Sequence, residues 1–506
     1  MKNLKFIADF FYFYPSLLYA LFFLLGISNY LLDSFFLYLI SALIFLLLIF
    51  SLKNKVKLFL AAFFYFFAFA YLLFFYSDIK NIKEPIQGVG YFKISSIKES
   101  YSFNRRYYIY SGILKTFESD NKRQIKNIKT SIFSKKKFQS NFLYKAKGTL
   151  IPTENFQFQF RTNNLKKVKP IKNFAHQRFY LKKSFESFLK KSIFDKASAN
   201  FLHTLITGEN RSKFLSFSFS KIGLQHVLAI SGFHFGIFTL FFSYFLNLFF
   251  SKKLVIYILI FLVSLYFLFI GPIISVQRAF MMIQMALFAM IMNRRYFALN
   301  ALGISLIVIL LIDPINIIKL GFQLSYLSTF AILLAFPTIS KAISKVLKKR
   351  DIEEINDLNI QSKIGYRLLT YIRDGISLLV AVNIFILPVI LYHFHKLSCL
   401  SFIYNLFIPF LVGISMVLVI FGFIFHFILP PLGFCINYIN TYFTKFILKL
   451  ITYPPAKIEF YLRYKNLSFE FVIIYLGIIT ISFLMLRYYL KVFHSPENTP
   501  EYCNYL

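Results

Sequence analysis

The sequence predicts an α-helical polytopic membrane protein with a small extracytoplasmic β domain inserted after its first spans. Three observations carry this. Of 506 residues, 58% are hydrophobic, above the usual share for a soluble domain. The apolar residues come in long runs, at 10–32, 35–52, 56–76, 226–250, 254–271, 297–312 and 469–486. A bilayer core of ~30 Å is crossed by about 20 apolar residues in a helix, and several runs reach that length. Between the runs, the polar stretch 77–200 holds 27 Lys/Arg against 8 Asp/Glu, about half of the net charge of +36. The overall excess of cations fits contact with nucleic acid or anionic lipid; it fits equally an AT-rich genome, since Lys, Phe, Ile and Asn abound and Trp is absent.

Segment 1–76 reads as three spans. Its first run is long, aromatic and followed at once by a second, so it is expected to stay in the membrane rather than to be cleaved as a leader. Segment 77–170 is expected to be a basic extracytoplasmic β domain. Gly90–Lys98, Arg106–Tyr110 and Tyr144–Ile151 are rich in β-branched and aromatic residues and are separated by Asn, Ser, Asp and Lys clusters. Several short strands of this kind make a small barrel or a sandwich. Segment 171–222 is expected to hold amphipathic coupling helices, with Phe179, Leu181, Phe185, Phe188 and Leu189 at helical spacing between lysines. Such a helix lies on a membrane surface or on the next domain. Segment 223–490 is the main membrane domain, and 491–506 is a short tail.

The positive-inside rule orients the spans. With Lys2 and Lys5 in the cytoplasm, Lys53–Lys57, Ser251–Lys253, Asn293–Arg295 and Lys341–Arg350 all fall on the same side. The tip at Leu32–Ser34, the β domain, Gly271-Pro272 and Asp313-Pro314 fall outside. Within 400–453, Pro409 and Pro430-Pro431 predict re-entrant or broken helices. Cys399, Cys435 and Cys503 are too scattered for a redox or metal motif. His393-Phe-His395 lacks the carboxylates of a two-metal site, and no Walker-type phosphate loop occurs. No metal, cofactor or catalytic residue is expected.

One segment concentrates polarity inside an apolar run: Gly223-Leu-Gln-His226-Val-Leu-Ala-Ile-Ser231-Gly232-Phe-His234-Phe-Gly236. Gln225, His226, Ser231 and His234 are costly in hydrocarbon unless they face a cavity or a partner. On one continuous helix, His226 and His234 lie on similar sides, and Ser231 shares the face of His234. Gly232 and Gly236 form a small-xxx-small pair for a close helix neighbour. A helix-packing seam with two hydrogen-bonded histidines explains the pattern as well as a polar conduit does.

The same segment is similar to the G-L-x-H-L-L-A-I-S-G-L-H-V-G pattern of the ComEC competence family. Leu205–Arg211 resembles that family's Gly-Asp/Glu-x-Arg lead-in, and Ser275–Met281 its P-x-x-R-A-x-x-M helix start. Asn300-Ala-Leu, Asp313-Pro314 and Gly321–Tyr326 resemble its N-A-L…D-P…G-F-Q-L-S-F block. Pro388, Tyr392-His393, Asn405 and Pro409 resemble its P-x-x-x-Y-H-F…N-x-x-x-x-P segment. These blocks stand in order over about 205–410.

The resemblance implies a channel in the inner, cytoplasmic membrane that admits single-stranded DNA during natural transformation. It also implies an OB-like barrel for the β domain. Family members often carry a C-terminal metallo-β-lactamase-like domain, and this chain has no His-x-His-x-Asp-His cluster. Single-strand conversion and pulling are therefore expected of separate nuclease, receptor and cytoplasmic ATPase proteins; homo-oligomerisation stays open. The expected lining is Gln225, His226, Ser231, His234, Gln277, Arg278, Gln284, Gln323 and Ser325. Asp313 is expected to cap its helix or pair with Arg278, and Asn405 to fix a broken helix. OB folds bind single strands with a charged groove and stacked aromatics. Lys93, Arg105, Arg106 and Tyr107 are the corresponding residues here, near Tyr91, Phe92, Tyr108 and Tyr110. Two rivals stand beside this: a transporter or flippase for another anionic polymer or lipid, and an intramembrane hydrolase using Ser231 with His234 or His226.

Overall fold

A computed structural model describes residues 5–490, except 53, 81, 103–104, 121–123, 154–155, 163, 211, 348–349, 351–353, 356, 454–460 and 465–466. The side chains of residues 101, 102 and 105 are also outside the description, so Arg105 is placed by its backbone alone. The tail with Cys503 and the motif residue Arg211 lie outside the described residues.

The chain opens with a short helix, α1 (Lys5–Phe13), then α2 (Pro15–Leu32), α3 (Phe35–Ser51) and α4 (Lys55–Lys80). Pro15 sits at the first turn of α2, where its missing N–H costs nothing. Apolar helices thus stand at the three expected spans, with α3 the short one, and α4 runs on to Lys80 rather than ending near Ser77. Phe59, Phe66, Phe74 and Phe75 of α4 are exposed, as a lipid-facing surface requires.

Six strands follow: β1 (Ile86–Ser102), β2 (Arg105–Ser119), β3 (Gln124–Ser134), β4 (Phe142–Thr153), β5 (Gln157–Arg161) and β6 (Lys166–Pro170). Their order is β1-β2-β3-β5-β4-β6, and a β1–β4 pairing closes the first five into a ring. β3 and β5 run parallel; the other pairs are antiparallel. Alternate residues fill the ring: Phe92, Ile94, Tyr110, Leu114, Phe117, Ile128, Tyr144 and Leu150 are fully buried, the period of two expected of a strand. Gly112 is required where β2 passes β1, because a Cβ there would meet the Lys93 carbonyl. The sequence reading found β1, β2 and β4 but missed β3, β5 and β6.

α5 (Ala175–Ser192) plugs one end of the ring with Phe179. α6 (Lys196–Thr207) is capped by Asp195, whose carboxylate accepts from the Ser198 N–H, and ends at Gly208 with φ 71°, the left-handed stop glycine tolerates. α7 (Lys213–Lys221) and α8 (Gln225–Leu228) lead to α9 (Gly232–Asn247), α10 (Lys252–Ile270), α11 (Ile274–Ile291) and α12 (Ala298–Ile312). A 3-10 turn at Pro314–Ile318 precedes α13 (Leu320–Ile343) and α14 (Ile360–Phe394). Then come β7 (Lys396–Ser398), α15 (Leu400–Ile428), α16 (Pro430–Thr452), β8 (Tyr461–Arg463) and α17 (Phe469–Tyr489). Eight helices among the described residues are long and apolar enough to cross a bilayer.

The expected break in 400–453 is not there. α15 runs unbroken through Pro409, and Pro430-Pro431 begin α16 at positions that need no N–H donor. α15 and α16 form a hairpin seamed by buried polar groups: the Ser415 hydroxyl donates to Asn440 Oδ1 at 2.9 Å and the Asn440 amide to the Ser415 carbonyl at 3.1 Å. Asn405 therefore sits in an intact helix.

Contacts sort the loops onto two ends of the bundle. At one end Asn300 donates to the Phe13 carbonyl and accepts from the Ser16 N–H, and Lys341 donates to the Leu490 carbonyl. At the other end Lys80 donates to the Tyr30 carbonyl, Lys129 of β3 meets Asp313 at 2.6 Å, and β7 pairs with β8. The β ring thus docks on one end, with Asp313 clamped between Lys129 and Lys319.

Candidate functional site: a broken helix beside a buried arginine

The polar motif is not one helix. α8 ends at Leu228, Ala229 is extended (ψ 130°), and Ser231 (φ −120°, ψ 176°) is the N-cap of α9. His226 and His234 therefore do not share a helical face, which corrects the reading from spacing. Ser231-Gly-Phe-His234 is instead a capping box. The Ser231 N–H donates to His234 Nδ1 at 3.2 Å, and the Phe233 N–H donates to the Ser231 hydroxyl at 3.3 Å. Both groups thereby satisfy donors that a helix start leaves open. The signal was legible: Ser followed three residues later by a side chain that accepts hydrogen bonds.

Because His234 Nδ1 accepts, the neutral ring carries its proton on Nε2. That nitrogen is buried and has no protein partner among the described residues. The Ser231 hydroxyl also lies 3.2 Å from His234 Nδ1, the contact that the hydrolase rival requires. The third member of that rival is not supplied by Asp313, whose Oδ2 is held by Lys129 and Lys319.

The break is held open from α11. The Ser275 hydroxyl donates to the Ile230 carbonyl at 2.6 Å. One turn later Arg278, only 8% exposed, lies across the first turn of α9. A Cβ on Gly232 would stand 2.9 Å from Arg278 Nη2, so only glycine lets the guanidinium approach so closely. Arg278 Nη1 donates to the Ser325 carbonyl on α13. Its Nε is buried without a partner, and among the described residues no carboxylate pairs with it. The expected Arg278–Asp313 pair does not form, because Asp313 is taken by Lys129 and Lys319.

The structure thus brings Ser231, His234, Arg278 and Ser325 together, with the Ser325 hydroxyl also buried and unpartnered. His226 is exposed although packed among protein groups, beside the Asn405 side chain and the Gly223 backbone. Gln225 is also exposed. Gln323 donates to the Ile317 carbonyl and meets His393 Nε2 at 3.2 Å, at the β-ring end of the bundle. Gln277 is half-buried beside Arg278 in sequence. Gln284 does not belong to this group: its amide donates to the Ile260 carbonyl and the Ser264 hydroxyl, tying α11 to α10. Spacing missed Ser275, whose hydroxyl does not declare its partner across helices; of the glycine pair, Gly232 does admit a close neighbour in α11, whereas a Cβ on Gly236 would meet nothing within 4 Å.

In the β ring, Arg106 is ion-paired with Glu99 and Tyr107 accepts from the Ser100 hydroxyl at 2.9 Å. Phe92, Tyr108 and Tyr110 are core residues. Of the aromatics that the sequence set beside the cations, only Tyr91 and Tyr107 reach outward, and Lys93 is half-exposed.

These features define a multi-pass membrane protein whose bundle has a polar helix break beside one end. Residues 208–488 match the family described as competence protein, and the chain belongs to that family. It is also 26% identical, over 262 residues, to ComE operon protein 3 of Bacillus subtilis (strain 168). That match covers 51% of this chain and 30% of the relative, so the chain spans well under two thirds of the relative's length. No solved structure matches the chain.

Proposed function

We propose that the chain serves competence DNA uptake as a conduit for single-stranded DNA in the cytoplasmic membrane, with the β ring, an OB-type barrel in this reading, on the outer side. The observation that carries the reading is Arg278. It is a buried cation without an acid partner among the described residues, set at the positive end of α9. A helix N-terminus attracts anions, and here it is joined by two unspent N–H donors, Arg278 Nε and His234 Nε2. A guanidinium and a helix N-terminus repel each other, and an anion visiting between them is attracted by both. A phosphodiester passing the break receives the planar fork of Arg278 and leaves again, because no second fixed cation stands there among the described residues.

The multi-pass architecture and the family membership support the membrane setting. In this reading a cytoplasmic ATPase partner supplies the pull, and a nuclease supplies the single strand. A transporter for another anionic polymer shares the helix break but does not need a basic outer ring. Uptake of labelled DNA into a nuclease-protected cytoplasmic pool tests the reading. Arg278→Gln is expected to abolish uptake while membrane insertion stays normal; normal uptake by that variant contradicts it.

A further inference from the structure

We propose that the outward face of β1, β4 and β6, continued by the end of β5, is a landing site for single-stranded nucleic acid, distinct from the β2 residues Arg105, Arg106 and Tyr107. The proposal rests on the conduit reading and names where its substrate is first held. Cross-strand partners share one face of a sheet. Tyr91 pairs with Lys145, Lys93 with Leu143 and Val89 with Lys147. Lys145 pairs in turn with Lys166, Leu143 with Lys169, and Thr149 with Arg161. Lys93, Lys145, Lys147, Arg161, Lys166 and Lys169 therefore lie on one face, and none of the partners just named is acidic. Five of the six are exposed and Lys93 is half-exposed. Ion pairs between described residues leave all six free, whereas Arg106 is spent on Glu99.

An aromatic ring stands among these cations: Lys145 Nζ is 5.6 Å from the centre of the half-exposed Tyr91 ring. Lysines beside accessible rings are the combination that holds a backbone and stacks its bases. Lysines on an open strand edge also prevent sheets from adding to one another. That explains part of β6, but not Lys93, Lys145 and Lys147, whose strands are paired on both sides. The position argues against a lipid surface. β3 is clamped to the bundle through Lys129 and Asp313, and in the ring order the β1–β4 seam lies across from β3. The basic face thus points away from the bundle.

The test is oligothymidylate binding by the full chain in zwitterionic nanodiscs, read by anisotropy across a salt series. Replacing Lys145, Lys147, Lys166 and Lys169 by Gln should lower affinity at least about ten-fold and reduce the salt slope by about 3, near 0.7 per lost contact. Tyr91→Ala should weaken binding with the slope unchanged. K115Q/K126Q, removing two exposed lysines elsewhere on the ring, should do less than K145Q/K147Q. Equal losses from the two pairs, or parental binding by the four-lysine variant, overturn the proposal. So does an effect of that variant confined to nanodiscs of anionic lipid, which assigns the face to the membrane. Arg278→Gln separates the two readings. If that variant takes up DNA normally while the lysine variant fails to bind, the conduit falls and the landing face stands; the reverse pattern removes the landing face alone.

Discussion

At the scale of single residues, the packing of Arg278 decides what the helix break can do. Its guanidinium lies against Gly232 and under the Ser325 carbonyl, so both geometry and charge are open to test. Gly232→Ala puts a methyl group 2.9 Å from Nη2. The expected outcome is a displaced arginine and strongly reduced DNA uptake from a protein that still inserts. Arg278→Lys keeps the charge but loses the fork and is expected to restore little of the uptake. Ser231→Ala removes an N-cap, which costs about 1 kcal/mol, and a lowered thermal midpoint in detergent is the readout. Arg278 was legible in the sequence as a cation in an apolar run. The relation of the two histidines was not, because a 3.6-residue period was carried through a Ser-Gly pair that ends one helix and starts another. Asp313 shows the same limit: its partner Lys129 lies far away in sequence, in a strand that no local pattern revealed.

At the scale of elements, α5 couples the β ring to the membrane domain. Lys182 and Glu209 form a buried pair at 3.1 Å, with side chains 7% and 11% exposed. Burial pulls the Lys182 ammonium below its ordinary range, Glu209 opposes that, and Arg178 and Lys98 add to the depression. Removing one member of such a pair typically costs about 3–5 kcal/mol, since the other charge stays buried. Glu209→Gln is therefore expected to lower the melting temperature more than the double variant Lys182→Met with Glu209→Gln. A double variant worse than the single one contradicts this. On the neighbouring residue Arg178, Nε donates to the Leu268 carbonyl at 2.9 Å, fixing α5 to α10. Inside the ring, burial pushes the Tyr110 hydroxyl up to about 12, so it stays protonated, donating to the Lys136 carbonyl and accepting from the Phe138 N–H. Helices were legible in the long uncharged runs, but α14, with charges in its first half, and α15, with Pro409 inside it, were not. β3 and β6 were hidden by their lysines, which make a solvated strand look like a charged loop. The prolines of 400–453 misled for the opposite reason: one is absorbed within a long helix and the others start one.

At the scale of the whole molecule, the ring, the coupling helix and the bundle meet at one end, and the helix break lies toward that end. Helix direction alternates between the two ends of the bundle through α14, α15, α16 and α17, as the β7–β8 pairing and the Lys341–Leu490 contact require. Asp313→Ala should unclamp β3, and faster amide exchange in Gln124–Ser134, with the ring core unchanged, is the expected observation. The central claim is that the polar groups of the break face water continuous with the outside. Its most direct test uses cells expressing a variant with its native cysteines replaced, carrying single cysteines at His226, Ser231 or Gln284, treated from outside with a membrane-impermeant maleimide. Cysteines at 226 and 231 should react, with added single-stranded DNA slowing the reaction, while one at 284, packed against α10, should not. If 226 and 231 stay unlabelled in a correctly inserted protein, the break is a sealed packing seam and the conduit does not exist.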